Sequence, residues 1–495
     1  MKRKTLYILL LISAFVFGSL PTKAQEPFFS YTYDYWGEPV PAPHAFLPTN
    51  RIDGFTLGID HFDNPRDLFA ADDGRLFIAD TGNNRIVVLG NDLRSAEILK
   101  NFETPDGTQA FYQPEGVFVT KGGDIYIADT GNSRIIHLDN EGKYVRTIGS
   151  PKADIIPADF VFSPTKLAVD NAGRIYVVAS GVTQGIMMLD AYGIFRGFIG
   201  ASRVTPGIMD IFWRAVATEA QRERMLLFVP TEFNNITIDD EGFLYVTTDK
   251  LSYWDILHAV NARSRDDRVA PVRKLNPTGV DVLRREGFFP PVGDVYFDYM
   301  EQSQLVDVSV ADYGIYSVLD RRKGRIFTYD PDGNLLFIFG GLGGARLGTF
   351  RNPVAIERIG DRILVLDSMR ASITIFDITE YGSLLKDAVV LHRTGDYEAS
   401  TEKWREVLRR NSNSDLAYIG MGMAYMRKDD FSSALEHFRL GAMRERYSRA
   451  FQLYRREVIG RNFGIIALLL LVPLVTFVLI RRRNGKLTGK RPQYD

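Results

Sequence analysis

Apolar and polar positions alternate at a period of two in two closely matched stretches of the chain. Leu76 and Ile78, and then Ile125 and Ile127, mark strands with one face turned to a core. Each is followed by Thr-Gly-Asn, at Thr81 and Thr130, a turn sequence whose residues tolerate positive φ. Ile86-Val-Val and Ile135-Ile-His then begin a returning strand. Asp80 and Arg85 flank the first turn and are expected to face each other across it, with the carboxylate also accepting turn amides. The whole phrase, Gly74 to Ile86, recurs 49 residues later at Gly123 to Ile135.

Weaker copies continue in the same register at Gly173-Arg-Ile-Tyr-Val-Val, Gly242-Phe-Leu-Tyr-Val-Thr, Gly314-Ile-Tyr-Ser-Val-Leu-Asp320 and Asp361-Arg-Ile-Leu-Val-Leu-Asp367. Arg325-Ile326 repeats the Arg-Ile pair after Asp320. Before each copy lies a first strand, often opened by proline, as at Pro65, Pro114, Pro164 and Pro353. After the returning strand comes a second turn glycine (Gly142, Gly193, Gly279, Gly333) and then a fourth strand, as in Tyr144–Gly149 and Leu335–Gly340. A repeat period of roughly 40–50 residues belongs to propellers and solenoids, because one such unit cannot bury its own apolar faces. Six four-stranded antiparallel units predict a mainly β fold, a six-bladed β-propeller that leaves only short edges.

On these residues the chain resembles NHL-repeat proteins, whose unit reads Pro-x-Gly-Val and then Gly-x-Ile-Tyr-Val-Ala-Asp-x-Gly-Asn-x-Arg-Ile. The resemblance covers residues 50–379 and is strongest in the first two units. Unit six lacks a fourth strand of its own. Arg51–Gly58 resembles the end of a repeat and is expected to supply it, with the alternating Tyr31, Tyr33 and Tyr35 as the rival closing segment.

The two ends carry a different pattern. Lys2-Arg-Lys4, the apolar run Leu6–Leu20 and the small residues before Gln25 predict a cleaved signal peptide over 1–24, followed by an extension over 25–49. Phe463–Ile480 is uncharged and long enough to cross a bilayer. Arg481-Arg-Arg483 begins a basic tail, 481–495, which predicts a cytoplasmic end. Together these place a single-pass protein in the plasma membrane with its ectodomain outside. Between propeller and span, residues 384–447 align with themselves at an offset of 34: Gly395-Asp-Tyr397…Trp404 on Asp429-Asp-Phe431…Phe438. This resembles two tetratricopeptide repeats, with close helix packing at Ser400, Gly422 and Ala434, and residues 448–462 form a juxtamembrane helix. As a whole the chain resembles bacterial NHL-repeat proteins carrying a C-terminal membrane helix, a group without a firmly assigned activity.

Composition narrows the chemistry. The chain has 495 residues, a formal charge of −1 and no cysteine, so disulfides, thiol catalysis and lipidation of a cysteine are excluded, and no basic excess points to nucleic acid. The Asp-Thr-Gly triplets at Asp80 and Asp129 continue into Asn-x-Arg-Ile, which favours hairpins over a protease dyad. Gly340–Gly348 lacks the Lys-Ser/Thr ending of a phosphate loop, and Asp330-Pro-Asp332-Gly333 sits where the repeat wants a turn rather than a calcium site. The six histidines form no ligand motif. No cofactor and no catalytic residue is assigned.

Spacing points to a binding face. Successive turns are 49, 50, 69, 72 and 47 residues apart, so two units carry insertions, around 201–232 and 250–270. In a four-stranded meander both emerge on one face, beside the positions that open the first strands. Arg66, Glu115, Lys166, Asn234 and Asn235 from those openings, with Trp213, Tyr253 and Trp254 from the insertions, form the candidate ligand face. The expected partner is a protein or a glycan. The tetratricopeptide-like helices offer a second surface, for a membrane-protein partner. The function expected is therefore extracytoplasmic binding or scaffolding. A metal-dependent propeller enzyme of lactonase or lyase type is the alternative: among the strand openings, which also include Asp67, Asp307 and Asn352, a Glu, an Asn and an Asp approximate the lactonase ligands, with Arg66 and Lys166 competing for the carboxylates.

Overall fold

The computed structural model describes residues 28–156, 159–200, 232–248, 251–262, 269–285, 290–294 and 302–487. The expected signal peptide, most of the first insertion with Trp213, and the end of the basic tail lie outside them. The chain divides into two compact units, one formed by residues up to Thr32 with Pro39–Thr379, the other by Tyr33–Glu38 with the chain from Glu380 onward.

The first unit is a six-bladed β-propeller. Blade one holds Asp67–Ala70, Leu76–Asp80, Arg85–Leu89 and Ala96–Leu99; blade two holds Gly116–Val119, Ile125–Asp129, Arg134–Leu138 and Tyr144–Ile148. Blade three runs from Pro164–Val169 to Phe195–Ile199, blade five from Leu305–Val310 to Leu335–Gly340, and blade six holds Pro353–Ile359, Arg362–Asp367 and Ser372–Ile378. Blade four has three strands among the described residues, Asn235–Ile238, Leu244–Thr247 and Val272–Leu275. A helix, Tyr253–Asn261, lies between the second and third of these. The first strands of all six blades neighbour one another in a closed ring. Apolar side chains pack between the blades, for example Leu76, Ile78, Val87 and Leu89 of blade one with Leu364, Leu366 and Ile373 of blade six.

The ring closes with an N-terminal strand, but not the expected one. Phe46–Asp53 pairs along Ser372–Ile378 as the fourth strand of blade six, with Ile52 opposite Ile373 and Phe46 opposite Ile378. Arg51–Gly58 overlaps it only at its start, because Asp53 caps a short helix, Gly54–Leu57, and ends the strand there. The tyrosine segment does not close the ring either. Tyr31–Tyr33 and Pro39–Pro41 extend blade five at its outer edge, Tyr31 lying opposite Ile338. A hairpin absent from the sequence expectation, Asn101–Thr104 with Gly107–Ala110, lies between blades one and two.

Turn chemistry also differs in detail from expectation. The left-handed residues are Asn84 and Ser133, both at φ 52°, rather than the glycines of Thr-Gly-Asn. Those glycines answer a steric demand: a Cβ on Gly82 would lie 2.5 Å from the Asp63 carboxylate, and one on Gly131 would lie 2.6 Å from the Tyr112 carbonyl oxygen. The second turn glycines do take positive φ, 77–85° at Gly142, Gly193, Gly279 and Gly333. At the last of them Asp330 Oδ1 accepts the amides of Asp332 and Asn334, so this aspartate serves a turn.

In the second unit, helices Glu380–Thr394, Tyr397–Arg410, Asp415–Arg427, Phe431–Leu440 and Arg444–Arg461 pack each on the next. Asp396 and Asp430, 34 residues apart, cap two of them by accepting the amides of Ala399 and Ser433. Trp404 packs so closely on Gly420, and Phe438 on Gly422, that a Cβ at either glycine would lie within 2.6 Å of the ring. The last helix, Phe463–Leu487, contains the apolar stretch; within the span Phe463–Arg483 none of it is buried.

Candidate functional site

Register fixes which residues meet at the propeller axis. Asp67 lies opposite Ala79, Gly116 opposite Ala128, Lys166 opposite Val178, Asn235 opposite Thr247, Asp307 opposite Leu319 and Ala355 opposite Leu366. These six are one structural position, repeated once per blade on the innermost strands. Side chains alternate along a strand, so the next layer facing the axis is Phe69, Phe118, Ala168, Thr237, Ser309 and Glu357.

Hydrogen bonds join the first layer into two sets. Lys166 Nζ pairs with Asp67 Oδ1 from two blades away, and Asp67 Oδ2 accepts the Val117 amide of blade two at 2.9 Å. Gly116 makes this approach possible, since a Cβ there would sit 2.4 Å from the Thr165 carbonyl oxygen. In the other set Asn235 Nδ2 donates to Asp307 Oδ1 at 2.6 Å, and Asp307 Oδ2 accepts the Ile356 amide of blade six at 2.7 Å. A buried carboxylate thus ties its own blade to the amide of the next, at two places in the ring.

Electrostatics separate the two. Burial pushes Asp67 up, against the opposing charge and hydrogen bond of Lys166. Asp307 has a neutral amide beside it, and burial pushes its carboxyl up to about 7 against the more distant charge of Lys166 and its amide donors. Glu357 is half-buried, accepts the Arg358 amide at 3.1 Å, and is driven well above the carboxylate range by desolvation and by the charge of Asp307. Ser309 Oγ is buried without a hydrogen-bond partner among the described residues. The opposite arc of this layer is apolar, with the rings of Phe69 and Phe118 4.8 Å apart.

The expected face residues divide. Lys166 and Asn235 are buried and engaged with Asp67 and Asp307. Asn234 is also committed: its Nδ2 donates to the Leu305 carbonyl at 3.1 Å, and its Oδ1 accepts from Thr247. Glu115 is half-buried, while Arg66 is exposed and lends its carbonyl to Lys166 Nζ. Tyr253 and Trp254 stand on the blade-four helix, Trp254 59% exposed, their rings 5.1 Å apart. Of the lactonase-like set, Asp307 is at the axis and Asn235 is bonded to it. Sequence reasoning placed Asp67 and Asp307 at strand openings but missed their pairing, and it missed Glu357 and Ser309. Aligning the six units on their turns and reading two residues further would have found both.

The repeat motif itself fastens blades rather than a ligand. Asp80 Oδ1 accepts the Asp63 amide at 2.7 Å and Oδ2 the Arg85 guanidinium at 2.6 Å; Asp129 does the same with Tyr112 and Arg134, both at 2.7 Å. These amides precede the first strand of the same blade, so the carboxylate anchors the incoming loop, and its Oδ2 also accepts the side-chain amide of the turn asparagine, Asn83 or Asn132, at 2.9 Å. Thr81 and Thr130 then donate to the carbonyls of Pro114 and Pro164 in the following blades. Among the described residues no three His, Asp or Glu side chains converge as metal ligands. His137 stacks on Tyr126 at 4.1 Å and lies 3.0 Å from Asp124, and burial lowers its pKa.

The NHL repeat is matched at residues 62–89 and 111–138, within blades one and two. No curated protein matches the chain. Among solved structures, a streptogramin B lyase is similar at 13% identity and TM-score 0.42, over 68% of this chain and all of that one. A virginiamycin B lyase from Staphylococcus aureus is similar at 10% identity and TM-score 0.40, over 67% of this chain and 99% of that one. A protein of unknown function from Bacteroides thetaiotaomicron is similar at 12% identity and TM-score 0.41, over 64% and 70% of the two chains. The chain carries NHL repeats in a six-bladed β-propeller, followed by a helical region with one apolar helix long enough to cross a membrane.

Proposed function

We propose that this protein is a membrane-anchored, extracytoplasmic binding or scaffolding protein whose propeller presents one face to a protein or glycan partner. One observation carries the reading: the helix between the second and third strands of blade four holds Trp254 in solvent, while the axial polar groups are engaged in pairs, Lys166 with Asp67 and Asn235 with Asp307. An exposed tryptophan against a half-buried tyrosine is the usual material of a recognition site. The apolar helix supports anchoring, and Arg481–Arg483 at its end support a cytoplasmic tail. The helices from Glu380 onward supply a second surface for a membrane-protein partner.

Two experiments test this. Protease added to intact cells degrades the propeller and spares an epitope placed after Asp495; protection of the propeller overturns the orientation. Cross-linking from position 254 captures a partner that Trp254→Ala loses, and unchanged capture removes the face assignment.

The alternative reading, a propeller enzyme of lactonase or lyase type, rests on the polar arc. Asp307 is a buried and Glu357 a half-buried carboxyl, both held above their ordinary range, and Ser309 Oγ, without a partner among the described residues, lies in the same layer as Glu357. Calcium or zinc bound stoichiometrically by the purified protein, and lost in Asp307→Asn, would favour it.

A further inference from the structure

Blade five breaks the rule that blades one and two obey. Asp320 and Arg325 are cross-strand partners, as are Asp80 with Arg85 and Asp129 with Arg134. Yet Asp320 Oδ2 is taken by Ser303 Oγ at 2.5 Å, and Oδ1 by the Gln304 amide at 2.9 Å. Arg325 is released from its aspartate. Its Nε lies 3.3 Å from Asp294 Oδ2, and its guanidinium carbon lies 4.6 Å from the centre of the Tyr31 ring, whose hydroxyl donates to Asp294 Oδ1 at 2.7 Å. The guanidinium is thus held in one orientation by an acid at its Nε edge and an aromatic ring against its face. The Nη groups meet no protein acceptor among the described residues.

They border a cleft of about 610 Å³, walled by Phe28, Phe29 and the glycine loop Gly340–Arg346. That loop is fixed rather than slack. Gly343 donates to the Phe350 carbonyl at 3.0 Å, Phe350 donates to that of Gly341 at 2.9 Å, and Arg370 Nη2 donates to the carbonyls of Gly343 and Gly344. With its carbonyls so engaged, the loop leaves the Gly344 and Ala345 amides with no protein acceptor among the described residues. Phe29 stacks on Tyr31, centroids 5.7 Å apart and planes within 13°, and is itself 52% exposed. Arg346 adds a second cationic side chain to the lining.

We propose that this cleft is a binding site for a carboxylated sugar of the uronic-acid kind. A guanidinium oriented through one edge presents its remaining donors to a planar carboxylate in the fork geometry that Arg favours over Lys. The two loop amides can donate to ring hydroxyls, and the exposed face of Phe29 suits the C–H face of a pyranose. A cleft of this volume admits one or two sugar rings. A carboxylate on a peptide shares the first contact but makes no use of a sugar-stacking face.

The test is calorimetric titration of the full-length protein in lipid nanodiscs with digalacturonate, with neutral maltose, and with N-acetylphenylalanine as a peptide-type carboxylate. Digalacturonate is expected to bind at least tenfold tighter than either. Arg325→Gln abolishes that preference, Arg325→Lys reduces it about tenfold because the fork is lost, and Phe29→Ala weakens digalacturonate several-fold. Should Arg325→Gln fail to fold, Phe29→Ala and Arg325→Lys still decide, since an exposed ring and a conserved charge leave the blade intact. Equal binding of acidic and neutral sugars, or unchanged binding in both of those variants, overturns the proposal; so does tighter binding of N-acetylphenylalanine. Trp254→Ala leaves digalacturonate binding unchanged, which keeps this site distinct from the partner face proposed above.

Discussion

The two halves of the axial ring solve the same problem with different charges. In blades one to three, Lys166 neutralises Asp67, Gly116 clears the way, and Phe69 and Phe118 make the next layer apolar. In blades four to six, Asn235 faces Asp307, which no cation among the described residues contacts directly and which Lys166 reaches only through its charge, and Thr237, Ser309 and Glu357 make the next layer polar. Each half still ties a carboxylate to the first-strand amide of the following blade. Fastening a ring therefore requires the hydrogen bond, whereas the charge state is set locally. Burial raises both carboxyls, against a direct ion pair at Asp67 and to about 7 at Asp307.

Removing the acid from the neutralised half should cost most. Asp67→Ala strands the Lys166 ammonium and the Val117 amide in the interior, and a loss of about 3–5 kcal/mol is expected in denaturant unfolding. Asp307→Asn, which keeps a neutral hydrogen-bonding group in place, should cost less than half of that. Equal losses would erase the distinction between the halves.

The repeat motif supplies the next step down. Asp80→Ala leaves Arg85, 1% exposed, without its carboxylate and should cost about 3 kcal/mol. Asp129→Ala should cost less, because the Arg134 side chain is 18% exposed and also donates to Gln109 at 2.5 Å. Gly116→Ala should cost about 1–3 kcal/mol through its contact with the Thr165 carbonyl, and should loosen the Lys166–Asp67 half without touching the other. Trp254→Ala, on an exposed helix face, should change stability by no more than about 0.5 kcal/mol while removing partner capture.

Legibility in the sequence followed how local the cause was. The alternation of Leu76 and Ile78, the two Asp-Thr-Gly-Asn turns and the second turn glycines depend on neighbours a few residues away, and the blades were readable from them. Closure was readable only as a need for an N-terminal strand. The choice of Phe46–Asp53 over Arg51–Gly58 depends on pairing with Ser372–Ile378, more than 300 residues distant. The role of Gly82 was misread for the same reason, since its constraint is the incoming loop at Asp63 rather than its own φ. The axial pairs join residues about 70 to 100 positions apart, and Arg325 shows the standard motif while keeping different company. Sequence marks the position; only the fold supplies the partner.

The central claim is that Asp307 is a buried inter-blade fastener without the direct ion pair that Lys166 gives Asp67, so that burial outweighs the field of Lys166. Asp307 titrates at about 7 in the folded chain against 3.8 for the free side chain, so between those values the folded state holds a proton that the unfolded state releases. Its contribution is most favourable below about pH 4 and is lost as pH rises to about 7, by up to about 4 kcal/mol. The direct measurement is the unfolding midpoint of the wild-type protein and of Asp307→Asn at intervals from about pH 4 to 8. The stability of wild type relative to the variant is predicted to fall steadily across that window and to level off above about pH 7. A difference that stays constant with pH, or that grows in favour of wild type as pH rises, would contradict it.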